Sequence, residues 1–303
     1  MATKKAAVKK SSTTAKKAPS KPTTTTKVKT GSTVAASVST GTKAKKAKID
    51  NSVINIVLAE LVGTFALTLV ALLALKDVLP LYVGLTVAVL VMAIGAISGT
   101  HINPAVTFGL WTAKKIKAIL IPFYWGAQFL GAMAAIVVLN AVAGTTKGLD
   151  FGHFMEFSWA IFFIELIGTA VFMFGLMSVI NRAELSTGGK AIGIGLSLFV
   201  GLLVATSILE PARTQAITNY GKDAADAKEA PAIPHQIFVS GATLNPAVAL
   251  AATETTESTL RGTQADESEK RYSRLSLEVI VSTLAGAAIG ANLARLLGYR
   301  FKA

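Results

Sequence analysis

Six stretches of the 303-residue chain are each apolar over about 20 residues, and they restrict the fold more than any other feature. About 20 residues of α-helix cross the roughly 30 Å hydrocarbon core of a bilayer. Only 16% of the residues are charged, whereas soluble domains carry about 25%. The sequence therefore predicts an all-α membrane protein with spans near 54–75, 79–97, 119–142, 157–180, 191–207 and 277–297.

The charged residues outside these spans indicate an orientation. If the spans alternate in direction, the side that holds both termini is rich in lysine and arginine, and the other side carries two polar loops at 207–238 and 252–274. Basic segments favour the cytoplasmic side of a membrane. We therefore expect both termini in the cytoplasm and a location in the plasma membrane. The sequence assigns no function to the two loops.

Residues 1–48 differ in composition from the rest of the chain. They contain 13 lysines and no arginine or acidic residue, and the remaining residues hold 17 basic and 17 acidic side chains. Lys, Ala, Ser and Thr cannot bury a core, so we predict a disordered tail at 1–48 and a membrane domain at 49–303. We interpret the tail as a solvated arm that helps to set orientation, with contact to anionic lipid as an alternative. Such a tail attracts phosphate only non-specifically, so no specific nucleic-acid partner is expected.

The two halves of the membrane domain repeat the same motifs in the same order. Glu60 and Glu165 each precede Leu-x-Gly-Thr, and later in each half Ser-Gly-x-x-x leads into Asn-Pro-Ala-Val, which begins at Asn103 and at Asn245. Self-similarity of this kind indicates a duplicated unit. Each half, about 49–145 and 155–303, holds three predicted spans. Because three is odd, the second half must enter the membrane from the opposite face, which makes an inverted repeat with a functional site near the midplane.

Each Asn-Pro-Ala motif predicts the start of a short helix. Asparagine is a strong helix cap and proline is favoured at the first helical position. The apolar segment that ends at Thr112 is about nine residues or roughly 13 Å long, near half the hydrocarbon thickness. The inverted repeat should bring two such half-helices together, amino end to amino end. The residues that we predict at this junction are Asn103, Pro104, Ala105, Asn245, Pro246 and Ala247.

Two opposed helix starts favour a pore. If the asparagine oxygens cap backbone N–H groups, the side-chain NH₂ groups remain as donors toward the lumen. Each helix start carries about half a positive charge, and two of them at the midplane oppose cations. The non-helical backbone at 98–102 and 240–244 is tolerated at this depth only where it is buried or lines water.

The chain offers little for other chemistry. It has no cysteine, and no nucleophile–base set lies in the spans, so we expect no enzyme, no cofactor and no metal. His101 is adjacent to the first motif, and we interpret it as a loop-anchoring or lumen-lining side chain. His153 and His235 are predicted to be ordinary loop residues.

Residues 52–298 resemble the major intrinsic protein family of aquaporins and glycerol facilitators. The resemblance is carried by the two Asn-Pro-Ala loops, by Glu60 with its following Gly-Thr, and by Ala127-Gln128 and Gly131-Ala132 in the third span. It implies six transmembrane helices with two re-entrant half-helices, one pore in each subunit and a homotetramer. It also implies that Glu60 and Glu165 accept hydrogen bonds from the re-entrant backbone rather than carry protons.

The resemblance implies a selectivity filter that departs from the family's usual one. The arginine that usually follows the second Asn-Pro-Ala is replaced by Val248, and the four filter positions fall at Val83, Leu202, Ala242 and Val248. We expect an aliphatic constriction that passes water, larger neutral solutes, or both. Arg213 is a candidate to replace the missing charge, although a surface position is its simpler interpretation. The alternatives to a passive channel are a non-conducting structural member of the family and a proton-coupled transporter.

Overall fold

The computed structural model describes residues 51–75, 78–144, 148–229, 231–264 and 269–300, and the regular elements within them are helices. The predicted tail at 1–48 lies outside the described residues. The helices are α1 Asn51–Leu73, α2 Leu79–Ser98, α3 Pro104–Thr112, α4 Ile121–Val142, α5 Trp159–Ile180, α6 Thr187–Asp226, α7 His235–Phe238, α8 Pro246–Ala251, α9 Glu257–Arg261 and α10 Leu277–Arg300. A short 3₁₀ turn, Ala118–Leu120, leads into α4.

Six of these helices are long and apolar enough to cross a membrane, which confirms the predicted all-α membrane fold. They are α1, α2, α4, α5, α6 and α10, and α3 and α8 are the two half-helices of the repeat. Leucine, valine and phenylalanine side chains remain exposed along the outside, as in Leu58, Val89 and Phe163. Exposed apolar surface of this extent suits contact with lipid or with other membrane-embedded subunits.

The fifth membrane helix is much longer than predicted. The sequence suggested a span at 191–207 and a loop from 207, but α6 begins at Thr187 and continues as far as Asp226, with Pro211 inside it. Hydropathy reports which residues suit lipid, and it does not show where a helix ends in water. Residues 212–226 include four alanines and the helix-favouring side chains of Arg213, Gln215 and Lys222, which are compatible with the continuation.

The helices pack in pairs that repeat between the two halves. Helix α1 packs on α4, and α5 packs on α10. A Cβ atom added to Gly131 would collide with the carbonyl oxygen of Leu61, and one added to Gly286 would collide with that of Leu166. Leu61 and Leu166 each directly follow the repeated glutamate. The close contact therefore recurs at equivalent positions, and small residues permit it, as they commonly do between membrane helices.

The loop at 252–274 has structure that the sequence did not indicate. It contains α9, and its two ends pair with each other through a bridge between Thr253 and Ser273. A second bridge joins Tyr272 to Asp150 in the α4–α5 connection. These backbone contacts hold the end of the loop over the carboxyl end of α8.

Candidate pore

The two half-helices begin where the Asn-Pro-Ala motifs predict, and the asparagines cap them. The side-chain oxygen of Asn103 accepts a hydrogen bond from the backbone N–H of Ala105 at 2.8 Å. The oxygen of Asn245 accepts from Ala247 at 3.0 Å and from Val248 at 3.4 Å. Helix α3 has nine residues, but α8 has only six, so the second half-helix is shorter than expected. It ends where Ala252 becomes extended to pair with the end of the loop.

The asparagine side chains also connect the two halves of the chain. Asn103 Nδ2 donates to the carbonyl oxygen of Leu244 at 2.8 Å, and Asn245 Nδ2 donates to that of Ile102 at 3.0 Å. Each asparagine therefore bonds to the residue that precedes the other asparagine. This reciprocal contact places the two helix starts against one another inside the protein, where both asparagines are buried.

Two fully buried glutamates hold the loops that lead into the half-helices. Glu60 accepts hydrogen bonds from the backbone N–H groups of His101 at 2.8 Å and Ile102 at 2.6 Å. Glu165 accepts from those of Thr243 at 2.9 Å and Leu244 at 2.8 Å. Without these carboxylates the loop N–H groups would be buried without partners, which costs about 1–3 kcal/mol for each group.

The loops keep an unfavourable backbone conformation at matching positions. Ile102 and Leu244 have φ angles of 43° and 51°, and Thr100 has a φ angle of 52°. Non-glycine residues rarely adopt positive φ, and strain of this kind persists where the surroundings enforce it. The two glutamates and the reciprocal asparagine bonds supply that enforcement. The resulting turn directs the carbonyl groups of Ile102 and Leu244 at the opposite asparagine.

A cavity of about 240 Å³ lies beside the two asparagines. All four residues predicted for the filter line it, namely Val83, Leu202, Ala242 and Val248. Leu176 of α5, Ile194 of α6 and Thr253 of the loop after α8 also line it. Asn103, Asn245 and His101 are also in its wall. The His101 ring stacks on Tyr124 with ring centroids 4.2 Å apart, and its Nδ1 atom lies 3.1 Å from Thr107 Oγ1.

The cavity contains an arginine that the sequence did not reveal. Arg274 lines it, and its Nη2 atom lies 3.4 Å from Glu165 Oε1. Arg213, the sequence-based candidate, is not among the lining residues. Its Nε atom instead donates to the carbonyl oxygen of Ile237 at 2.9 Å, and it lies within α6 rather than in a surface loop. Arg274 is 26 residues beyond Val248, and no sequence motif connects the two.

The two histidines that were expected in ordinary loops meet in a buried cluster. Glu254 accepts hydrogen bonds from both of them, at 2.6 Å from His153 Nδ1 and at 2.6 Å from His235 Nε2. His235 Nδ1 lies 3.3 Å from Glu278 Oε1. One ring nitrogen from each histidine and a carboxylate oxygen of Glu156 lie within 4.8 Å of one another. The cluster joins the α4–α5 connection, α7, the start of the 252–274 loop and the start of α10.

The charges of this cluster support one another. Burial disfavours the charged form of His235, but its hydrogen bond to Glu254, its 3.3 Å contact with Glu278 and the charges of both carboxylates outweigh burial and raise its pKa from 6.5 to about 9. Burial likewise opposes ionisation of Glu254. The bonds and charges of His235, the bond from His153 and the charge of Arg274 outweigh it and lower the pKa of Glu254. The ion pair between His235 and Glu254 stabilises the position of the loop that carries Arg274.

These features define a class of protein: an all-α membrane protein in which two capped half-helices meet inside the fold beside a lined cavity. A family model described as major intrinsic protein matches residues 75–218. "Aquaporin Z" of Brucella melitensis biotype 1 is 36% identical over 157 residues, which cover 47% of this chain and 68% of that protein. The chain belongs to the major intrinsic protein family.

Other relatives match a smaller share of their length. "Aquaporin NIP2-1" of Oryza sativa subsp. japonica is 37% identical over 136 residues, covering 43% of this chain and 45% of that protein. "Aquaporin-1" of Homo sapiens is 32% identical over 141 residues, covering 43% and 52%. The match spans about half the length of these two relatives. The solved aquaglyceroporin from Plasmodium falciparum aligns with a TM-score of 0.49 at 18% identity, over 80% of this chain and 95% of that one.

Proposed function

We propose that this protein is a passive channel for water and small neutral solutes. The observation that carries the proposal is the cavity that is lined by both Asn103 and Asn245 at the junction of the half-helices. Each asparagine NH₂ group has two N–H donors, and the reciprocal bond uses one of them. A water or hydroxyl group that moves along the cavity can accept the second. The two helix starts disfavour cations at the same point.

The residues at the proposed filter are aliphatic. Val83, Leu202, Ala242 and Val248 offer the solute no side-chain hydrogen bond, so we expect selection there by size rather than by polar contacts. Such a wall accepts neutral solutes up to the size that the cavity admits. It leaves ion exclusion to the polar groups at the half-helix junction and elsewhere in the wall.

The glutamates are better suited to holding the loops than to carrying protons. Glu60 accepts four hydrogen bonds, from Ser98 Oγ, Gln128 Nε2 and the backbone N–H groups of His101 and Ile102. A carboxylate with every oxygen engaged would have to release its loop in order to take up a proton. This arrangement favours a channel over a proton-coupled transporter, and we propose no enzymatic activity.

The setting of the channel is also part of the proposal. The chain is an integral membrane protein, and we propose the plasma membrane as its location, both termini in the cytoplasm and a homotetramer with one pore in each subunit. The tail at 1–48 is proposed to set orientation or to contact anionic lipid, because its only charges are 13 lysines.

Stopped-flow light scattering of proteoliposomes tests the function directly. Proteoliposomes should shrink faster than protein-free liposomes under an osmotic gradient, and parallel runs with glycerol and urea determine the solute range. Val83→Trp, which fills the cavity, should return the shrinkage rate to that of protein-free liposomes. Val89→Trp makes the same change on α2 at a side chain that is 59% exposed, and it should keep the wild-type shrinkage rate.

Two outcomes would contradict the channel. Wild-type protein that adds no permeability for any of these solutes would favour a non-conducting structural role. Solute flux that requires a proton gradient would favour a transporter.

A further inference from the structure

Arg274 occupies an unusual position for a charged side chain. It is 3% exposed, and it lies in the wall of the cavity with Val83, Leu202 and Val248. Among the described residues that line this cavity, it is the one lysine or arginine. A buried guanidinium is costly unless its donors find partners. Within the described part of the chain, its side chain has one hydrogen-bonding partner, Glu165, at 3.4 Å.

The backbone fixes where this arginine lies. The N–H of Arg274 donates to the carbonyl oxygen of Ala252, directly after α8, at 2.8 Å. Ser273 Oγ donates toward the carbonyl oxygens of Ala249 and Leu250 at 3.3 and 3.0 Å, and Ser273 N donates to Asp150 at 2.8 Å. These contacts tie the loop end to the carboxyl end of the second half-helix, so the arginine is held at one place beside the cavity.

The donors of Arg274 point to a polar occupant. Its Nε and Nη1 atoms are buried and have no hydrogen-bond partner among the residues that the structure describes. Buried donors are almost always satisfied, and Arg274 is one of the residues that line the cavity. Water or the oxygen atoms of a solute would satisfy them.

We propose that Arg274 is the specificity-determining residue of the pore, supplied by the loop after the second half-helix. It gives a wall that has no other described lysine or arginine a fixed positive charge that excludes cations, and two donors that bind the oxygen of neutral solutes. This role deepens the proposed channel function and rests on it. The equivalent partner in the first half is uncharged, because Glu60 accepts a hydrogen bond from the amide of Gln128 where Glu165 contacts Arg274.

The absence of cysteine from the sequence permits a sharp test. In Arg274→Cys, the introduced thiol is the only one, and proteoliposomes can be measured before and after its reaction. We expect sodium or proton flux to rise by about tenfold or more over wild type, because a fixed charge at short range is lost. Reaction with aminoethyl methanethiosulfonate, which adds a cation, should lower that flux again, whereas neutral methyl methanethiosulfonate should not.

Arg213→Cys is the matched control, because Arg213 lies outside the cavity lining. It should show wild-type cation flux with either reagent. Unchanged cation flux in Arg274→Cys, or an equal effect of the two reagents, would overturn the inference while leaving the channel intact. Wild-type protein that conducts neither water nor neutral solutes would instead overturn the proposed function.

Arg274→Lys provides a second measurement if the cysteine variant does not reconstitute. Lysine keeps the charge beside Glu165 but loses the planar set of donors. Cation exclusion should persist, and the ratio of glycerol or urea permeability to water permeability should change. A wild-type ratio would show that the donors do not contact the solute.

Discussion

Replacement of Glu60 by glutamine should loosen the first re-entrant loop with almost no change in side-chain volume. Glu60 Oε1 accepts from Ser98 Oγ at 2.6 Å and from His101 N at 2.8 Å. Its Oε2 accepts from Ile102 N at 2.6 Å and from Gln128 Nε2 at 2.8 Å. The single oxygen of glutamine can still accept from Ser98 and His101. Its NH₂ group then faces Ile102 N and Gln128 Nε2, which are themselves donors.

The contact between the new NH₂ group and Gln128 can be relieved, but its contact with the N–H of Ile102 cannot. The side-chain oxygen of Gln128 is buried and has no partner among the described residues, so rotation of that amide, which breaks its bond to Thr107, lets it accept a bond from the new NH₂ group. The backbone N–H of Ile102 has no such freedom. The loss is therefore one hydrogen bond to a charged acceptor, which leaves a buried donor unpaired. We expect about 2–3 kcal/mol of lost stability from that change.

Unfolding in mixed micelles on titration with sodium dodecyl sulfate measures this effect, and osmotic shrinkage of proteoliposomes measures its consequence for flux. Glu210→Gln makes the same chemical change on an exposed part of α6, and it should alter stability by less than about 0.5 kcal/mol. If Glu60→Gln were as stable as the control, the carboxylate would not be what holds the loop. If it kept its stability but lost a proton-driven flux, the glutamate would be a proton carrier.

Two further predictions concern packing and pH. Gly131→Ala should lower stability by about 1–2 kcal/mol in the same unfolding assay, because its Cβ would collide with α1. Gly126→Ala on the same helix meets no atom within 4 Å and should be neutral or stabilising; equal effects would refute the close contact. Because the pKa of His235 is raised from 6.5 to about 9, its contribution of about 3 kcal/mol is complete below pH 6.5 and is lost as pH rises through 9. Unfolding measured between pH 6 and pH 10 should show this decline in wild type and not in His235→Gln. A decline that persists in the variant would assign it to another group. Because the pKa of Glu254 is lowered from 4.5, its contribution is present above pH 4.5 and is lost as pH falls.

The fold and the half-helix starts could be predicted because their signals are local. A membrane span is long and apolar, and an Asn-Pro helix start depends on residues that are adjacent in the chain. The repeat then required two such starts to enter from opposite faces. Asn103 and Asn245 are 142 positions apart in the sequence, yet duplication was enough to predict that they meet.

The rest depends on contacts between distant segments that no motif records. Arg274 reaches the cavity because the 252–274 loop folds back on the end of α8, whereas position in the sequence suggested Arg213. His153 and His235 meet because Glu254 accepts a bond from each. The extent of α6 was missed for a different reason, since hydropathy does not show where a helix ends in water.

A block placed at the junction of the two half-helices tests whether solute passes between them. Val106 lies in the first turn of α3, is 2% exposed and lines the cavity. In Val106→Cys, a bulky maleimide can react only at that position, because the chain has no cysteine of its own. If solute passes this junction, the osmotic water permeability of proteoliposomes falls to the level of protein-free liposomes as labelling proceeds. Complete labelling with an unchanged permeability would contradict it.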